Sequence, residues 1–321
     1  MPKLGFALSS EEHSATKLVE LAVAAEDAGF EFAMISDHFH PWIPEQGHSP
    51  FVWSVLGAIA ARTTTLRLGT GVTCPIIRTH PTVIAQAAAT TAELLPDRFW
   101  LGLGTGERLN EHVTGAPWPP ADVRTEMLEE AIEVIRALWR GAEVDHRGRH
   151  FTVENATLFS RPDTPPPILM AAGGPRAARS AGKTGDGLIA TAPDADLVKT
   201  YRDAAEPEVG PRVGQMTVCW AEDEADARAT AHRWWPNAAL HGAVSQELAR
   251  PDDYAALAKG VTVDQVAKEV ICGPDPAPYR AAIDKFAEAG FDHVYLHQVG
   301  PDQAGFLDFA QREILGVLAA R

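Results

Sequence analysis

Apolar and polar positions follow two different rhythms that alternate along the chain. Short, nearly continuous apolar runs are typical of buried parallel strands, whereas apolar residues three or four apart indicate an amphipathic helix. The opening run "KLGFALS" predicts a strand. The segment at 14–30 then spaces Leu18, Leu21 and Ala25 helically and stops at Gly29. This strand-then-helix pair is the repeating unit of the sequence.

The repeats predict eight strands, at 3–9, 32–36, 66–72, 98–106, 167–174, 186–192, 215–221 and 293–299. The predicted helices lie at 14–30, 52–63, 82–95, 124–140, 176–185, 196–205 and about 223–235, with a last one that ends at the C-terminus. Eight such units in about 320 residues fit a (β/α)8 TIM barrel, and a doubly wound open sheet is the competing architecture. No Pro/Gly-rich linker interrupts the repeats. We therefore predict one α/β barrel domain over 1–321.

Two segments interrupt the repeat. The segment at about 141–167 predicts a short hairpin and loop, and the segment at about 235–262 predicts a mixed helical insertion. Insertions at the C-terminal rim of a barrel commonly shape the mouth of the substrate site, and we expect that role here.

Composition narrows the function classes. The 321 residues include 28 basic and 43 acidic ones, a net charge of −15, with no basic stripe for nucleic acid. No apolar run reaches the roughly 18 residues of a membrane span, and no charged-then-apolar leader opens the sequence. The cysteines Cys74, Cys219 and Cys272 are widely spaced, which predicts free thiols in a reducing cytoplasm. We expect a cytoplasmic protein that acts on a small molecule.

Polar or glycine-rich stretches follow six consecutive predicted strands, and this is where barrel enzymes place their active sites. These stretches are "LSSEE", "SDHFHPW", "GTGVTCP", "GTGERLNE", "AAGGPRAA" and "ATAPDAD". In the second, His38 and His40 flank Phe39, and His48 follows. A metal site needs three or four converging ligands, and no cysteine is near. We therefore expect no metal, with His40 and His48 as loop residues or hydrogen-bonded supports.

The glycine-rich stretches leave two interpretations open. Gly102, Gly104 and Gly106 resemble a dinucleotide loop, but the third glycine comes too early for GxGxxG. They either fit a tight barrel interior or let the backbone approach a flat ring or phosphate, with Glu107 directed at it. "AAGGPRAA" is either a plain turn or a helix N-terminus that binds an anion, to which Arg176 adds charge. A rim of this kind suits a large, flat, phosphate-bearing cofactor.

Together these stretches resemble the bacterial luciferase-like superfamily of flavin and deazaflavin oxidoreductases. The resemblance is closest to its branch of F420-dependent glucose-6-phosphate dehydrogenases, and "SDHFHPW" combined with "GTGERLNE" is its most specific element. It implies coenzyme F420 and a homodimer. It also implies that His38 takes the proton from a substrate hydroxyl and that Glu107 is the acid beside the deazaflavin. Trp42 and Glu11 fall at positions that line and polarise the pocket.

The resemblance further implies which residues contact the cofactor. These are Asp37, Cys74, Thr105, Gly106, Asn110, Gly173, Gly174, Arg176 and Ala177. Gly71 and Val72 fall where the superfamily bears a non-proline cis peptide behind the ring. Cys74 replaces a threonine of the glucose-6-phosphate enzymes.

The same resemblance shows a departure on the substrate side. Those enzymes hold the sugar phosphate with a threonine and three cations. Thr191 keeps the first position, whereas Asp194, Gln246 and Glu269 stand at the other three. Carboxylates there would repel a phosphate dianion. We therefore expect a neutral alcohol or an unphosphorylated sugar as substrate.

Several functions remain open. The leading hypothesis is an F420-dependent dehydrogenase that moves a hydride between a carbinol carbon and C5 of the deazaflavin. The alternatives are an FMN-dependent monooxygenase, a sugar-6-phosphate dehydrogenase with a rebuilt phosphate site, and a barrel that only sequesters a deazaflavin. His38 together with Glu107 favours the first, because an oxygenase needs no alcohol base beside a cofactor-side acid.

Overall fold

Eleven strands are present in the computed structural model, which describes residues 1–205, 210–240, 242 and 244–316. The strands are β1 (Lys3–Leu8), β2 (Phe32–Ile35), β3 (Arg67–Thr70), β4 (Phe99–Leu103), β5 (Val144–Arg147), β6 (Thr152–Ala156), β7 (Ile168–Ala171), β8 (Gly187–Ala190), β9 (Arg212–Cys219), β10 (Ile271–Cys272) and β11 (His293–Gln298). Eight of them run parallel in the order β1, β2, β3, β4, β7, β8, β9, β11, and β11 pairs again with β1. The predicted (β/α)8 barrel is confirmed.

Helices follow most barrel strands. The helices are α1 (Ala15–Ala28), α2 (Val52–Ala60), α3 (Pro81–Leu94), α4 (Arg108–Glu111), α5 (Ala121–Trp139), α6 (Pro175–Thr184), α7 (Ala195–Ala204), α8 (Glu224–Trp234), α9 (Val244–Glu247), α10 (Pro251–Ala258), α11 (Val263–Glu269), α12 (Pro276–Glu288) and α13 (Gln303–Phe309). The first shows how the sequence sets the bounds. Ser14 caps α1 by accepting from the Lys17 N–H, and Gly29, at φ 98°, ends it. Within the described ranges no helix is long and apolar enough to cross a membrane.

The strands are buried on both faces, which explains their continuous apolar runs. One core layer lies between the strands and the surrounding helices. A second fills the barrel interior, where Phe32, Met34, Trp100 and Tyr295 pack together. Side chains from both faces of each strand are therefore removed from water.

The predicted elements differ from the structure at a few places. The seventh barrel strand begins at Arg212 rather than at 215, and β10, α11 and α12 were not predicted. The pattern for α12 is present, since Tyr279, Ile283 and Phe286 are buried at helical spacing. The last helix gives way to a π-helical segment at Ala310–Leu315, and residues 317–321 lie outside the described part.

The two segments that interrupt the repeat contain the following elements. The first contains the antiparallel hairpin of β5 and β6. The second contains a 3-10 turn at Pro236–Ala239 followed by α9 and α10. This second insertion places Trp235, Asn237, Gln246 and Tyr254 on the wall of the cavity described below.

Candidate active site

A cavity of about 720 Å³ opens where the barrel strands end. Most of the predicted site residues line it: Glu11, His38, Trp42, Gly71, Val72, Thr105, Gly106, Glu107, Gly173, Gly174, Arg176, Ala177, Thr191 and Gln246. Five predicted residues are not on its wall: Asp37, Cys74, Asn110, Asp194 and Glu269. The structure therefore brings the two most specific motifs together and separates part of the substrate set from them.

Half-buried His38 pairs with buried Glu11 on the cavity wall. The His38 Nε2 lies 3.4 Å from the Glu11 Oε1, and the His38 Nδ1 lies 3.2 Å from the His40 carbonyl oxygen. A carbonyl oxygen only accepts, so Nδ1 carries the hydrogen and Nε2 is free to take a proton. Burial alone would raise the pKa of Glu11. Attraction to His38 in its protonated form and a hydrogen bond from Ser36 instead hold the pKa of Glu11 below its usual value.

The position of His38 is fixed by its neighbours. The Trp42 ring lies 5.1 Å from the imidazole, and Tyr254 packs edge-on against Trp42 at 5.4 Å. The Asn110 Oδ1 accepts from the backbone N–H groups of Phe39 and His40, at 2.9 and 3.1 Å. These contacts fix the backbone of the loop that carries His38.

His40 and His48 have different surroundings from His38. The His40 Nδ1 lies 2.9 Å from the Leu109 carbonyl oxygen, so this imidazole ties its loop to α4. His48 is exposed, and its backbone N–H donates to the Glu11 carbonyl oxygen. Among the described residues, no three His, Cys, Asp or Glu side chains converge as metal ligands.

Asp37, which the resemblance implied as a cofactor contact, lies behind the cavity wall in a buried ionic network. Its carboxylate accepts from the Thr73 hydroxyl at 2.7 Å and from the Arg78 guanidinium at 2.9 Å. Arg78 also contacts Glu111, whose carboxylate accepts from the Arg78 backbone N–H at 2.8 Å. Burial outweighs the attraction of Arg78 and raises the pKa of Glu111 to about 7. The network joins the loops after β2, β3 and β4.

Cys74 and Asn110 also lie behind the wall. The Asn110 amide reaches Glu107 at 3.5 Å, and Cys74 packs beneath Gly106. A Cβ on Gly106 would lie 3.0 Å from the Cys74 sulfur, and Gly106 has φ 68°. Burial raises the pKa of the Cys74 thiol. The Asn110 side chain therefore supports Glu107, and the Cys74 side chain supports Gly106.

The cis peptide implied between Gly71 and Val72 is present, and both residues line the cavity. The neighbouring glycines serve packing. A Cβ on Gly102 would lie 1.9 Å from the Thr70 carbonyl oxygen, and one on Gly104 would lie 2.6 Å from a Val72 methyl carbon. For Gly102 and Gly104 the structure therefore favours the tight-interior interpretation.

One end of the cavity fits an anion. The N-terminus of α6 has no side-chain cap, and a Cβ on Gly173 or Gly174 would meet nothing within 4 Å. Open backbone N–H groups at such a helix start are suited to a phosphate. This arrangement favours the anion-binding interpretation of "AAGGPRAA" over the plain turn.

Arg124 is a cavity residue that the sequence analysis missed. Its guanidinium is 1% exposed and lies 4.0 Å above the Trp118 ring. Nη2 donates to the Gln246 Oε1 at 3.0 Å, while Nε has no hydrogen-bond partner among the described residues. This unmet donor fits a phosphate-bearing cofactor. In the sequence Arg124 lies in a charged helix whose pattern predicts a solvent-exposed face. Its burial depends on residues that are distant in the chain, such as Gln246.

The expected repulsion by Asp194 and Glu269 has no support in the geometry. Asp194 is exposed and caps α7, where its carboxylate accepts from the Leu197 N–H at 2.9 Å. Glu269 is the exposed last residue of α11. Neither residue lines the cavity. Thr191 and Gln246 do line it.

Comparisons with known proteins show the family of this chain. The family model described as luciferase-like monooxygenase matches residues 2–293. The chain belongs to this luciferase-like family, which confirms the resemblance drawn from the motifs.

Within the family the chain is similar to proteins named F420-dependent glucose-6-phosphate dehydrogenase. It is 37% identical to the one of Mycolicibacterium gilvum (strain PYR-GCK) over 97% of this chain and 96% of that protein. It is also 37% identical to the one of Nocardia farcinica (strain IFM 10152), over 99% of this chain and 98% of that protein. A solved F420-dependent secondary alcohol dehydrogenase, in complex with an F420-acetone adduct, superposes with a TM-score of 0.91 at 28% identity, covering 99% of both chains. The chain therefore groups with the F420-dependent branch.

Proposed function

We propose that the protein is an F420-dependent dehydrogenase that oxidises a neutral alcohol or an unphosphorylated sugar. The observation that carries the proposal is the pair of His38 and Glu11 on the wall of a cavity that also offers an anion-binding end. The F420-dependent names of the relatives support the coenzyme assignment. When bound, F420 supplies the deazaflavin whose C5 exchanges a hydride with the carbinol carbon.

His38 is the proposed general base. Its Nδ1 is held by the His40 carbonyl, so Nε2 takes the proton from the substrate hydroxyl. The ionised Glu11 carboxylate, 3.4 Å away, then stabilises the positive charge on the ring. Trp42 covers the imidazole and keeps water from the reacting hydroxyl. A base held in this way contributes about 10²- to 10⁴-fold to the rate.

The remaining wall would hold the coenzyme. Gly71, Val72 and the segment 104–107 line the barrel side of the cavity, where Glu107 would act as the acid for the deazaflavin ring. The start of α6 and Arg124 would bind the phosphate-bearing part of the coenzyme. The unmet Arg124 Nε supports this assignment.

The substrate end supports an uncharged ligand. Trp42 lies against His38, Tyr254 packs against Trp42, and Trp235 also lines the cavity. Among the described residues on the wall, the Lys and Arg side chains are Arg124 and Arg176, which we assign to the coenzyme. Arg124 also donates to Gln246, a substrate-side residue, so a sugar phosphate would lack a cation only when the coenzyme engages Arg124. The homodimer and the cytoplasmic location stay predictions.

The test of the coenzyme assignment is a pair of fluorescence titrations of the purified protein with F420 and with FMN. We expect saturable binding of F420 and no binding of FMN at the same concentrations. Arg124→Gln should weaken F420 binding, and the exposed His48→Ala serves as the matched control. Selective binding of FMN, with oxygen consumption once the flavin is reduced, would favour the monooxygenase instead.

A further inference from the structure

A second carboxylate–imidazole pair lies on the same cavity. Glu12 follows Glu11 directly, and its Oε2 lies 3.3 Å from the His297 Nε2. His297 stands near the end of β11, is 4% exposed and lines the cavity. We infer that His297, oriented by Glu12, binds a second hydroxyl group of the substrate. The preferred substrate is then a diol or polyol. This inference rests on the proposed function.

The hydrogen bonds of Glu12 determine which atom of His297 is available. The Glu12 Oε1 accepts from the Gly300 backbone N–H at 2.8 Å, and an ionised carboxylate only accepts. The His297 Nε2 therefore carries the hydrogen that points to Glu12. Its Nδ1 is then an acceptor, and it has no hydrogen-bond partner among the described residues.

An acceptor left unpaired in the interior costs about 1–3 kcal/mol, so such atoms call for an explanation. Trp235 packs edge-on against the His297 ring at 4.5 Å and fills the apolar side of this position. A ligand hydroxyl donating to the His297 Nδ1 satisfies the acceptor.

A second unmet acceptor lies on the same wall. Asn237 lines the cavity, and its Oδ1 is buried without a donor among the described residues. Two unmet acceptors beside aromatic rings fit a neutral ligand with several hydroxyl groups. A carboxylate or phosphate, which only accepts, would leave both unsatisfied.

His297 lies close to the proposed reaction centre. Its partner Glu12 follows Glu11 directly in the chain, and the imidazoles of His38 and His297 line the same cavity. A substrate hydroxyl on His38 and a neighbouring hydroxyl on His297 therefore occupy one compartment. His38 performs the proton transfer, and His297 selects the substrate.

The test compares matched alcohols: propane-1,2-diol against propan-2-ol, and cyclohexane-1,2-diol against cyclohexanol. We expect the wild type to favour each diol by about 10-fold in kcat/KM, the value of one well-formed hydrogen bond. His297→Phe, which keeps a ring and removes the acceptor, should bring the ratio close to one by lowering the diol value. Asn237→Leu provides a second variant should His297→Phe fail to fold.

Binding of cyclohexane-1,2-diol to the F420-loaded protein, followed by calorimetry, gives a readout without turnover. We expect about 10-fold weaker binding to His297→Phe. A wild type without diol preference, or variants that lower diol and mono-alcohol values alike, would overturn the inference and leave the dehydrogenase intact. If none of the alcohols supports F420 reduction by the wild type, the proposed function fails. Calorimetry still tests whether His297 binds a ligand hydroxyl.

Discussion

The early and late parts of the barrel build the two sides of the cavity differently. After β1 to β4, His38 pairs with Glu11, and Arg78 pairs with Asp37 and Glu111, although the Arg124 Nε on α5 has no hydrogen-bond partner among the described residues. After β9 and β11, the wall is aromatic and carries the unmet acceptors of Asn237 and His297. Satisfied groups hold their geometry without a ligand, whereas unmet ones await one. The early side is therefore suited to chemistry and the late side to substrate choice.

The largest expected effect breaks the early side. His38→Ala removes the base, and we expect kcat to fall by about 10²- to 10⁴-fold. F420 binding, measured by fluorescence titration, should be unchanged because the coenzyme wall is left intact. The control His48→Ala should keep wild-type kcat. Wild-type turnover by His38→Ala would remove the catalytic role.

The second effect concerns the stability of the early network. Because the pKa of Glu111 is raised to about 7, the folded protein keeps a proton that the unfolded chain releases above its ordinary pKa near 4.5. The free energy of unfolding should therefore fall as pH rises from about 4.5 to 7, by up to about 3 kcal/mol from this group. Glu111→Gln cannot titrate and should flatten that dependence.

Urea unfolding of the wild type and Glu111→Gln at pH 5 and at pH 8 measures the difference. Parallel pH dependences for the two proteins would show that Glu111 is not protonated in the folded state at pH 5 to 7.

A smaller effect is expected when the carboxylate of the His38–Glu11 pair is removed. Glu11→Gln keeps a similar shape but removes the charge that stabilises protonated His38. We expect kcat to fall by about 10-fold, with KM little changed, since one such interaction is worth about 1–2 kcal/mol. Steady-state kinetics with a secondary alcohol measures both values. A change confined to KM would instead assign Glu11 to ground-state binding.

The smallest effect lies outside the late wall. Asp194→Ala removes the cap of α7 and should cost about 1 kcal/mol of stability in urea unfolding. Its kcat/KM should stay within about twofold of wild type, because Asp194 does not line the cavity. If Asp194→Ala instead gained activity on glucose 6-phosphate, that result would support the hypothesis that Asp194 repels a substrate phosphate.

The two sides also differ in how far the sequence predicts them. The eight barrel strands and the early motifs could be found because each lies within one short strand and loop, where spacing fixes position. The roles of Arg124, Asn237 and His297 could not be predicted from the sequence. Their burial depends on partners such as Gln246 and Trp235, which come from distant elements. Asp194 shows the reverse case, since a matching position in sequence lies on a helix cap outside the wall.

The central claim is that this barrel oxidises a neutral alcohol through His38, and one measurement tests it most directly. The measurement is the initial rate of F420 bleaching with a panel of secondary alcohols, diols and neutral sugars, each compared with glucose 6-phosphate at equal concentration. We expect at least one neutral alcohol or sugar to be turned over faster than glucose 6-phosphate, and we expect this turnover to be lost in His38→Ala. Robust turnover of glucose 6-phosphate alone would contradict it.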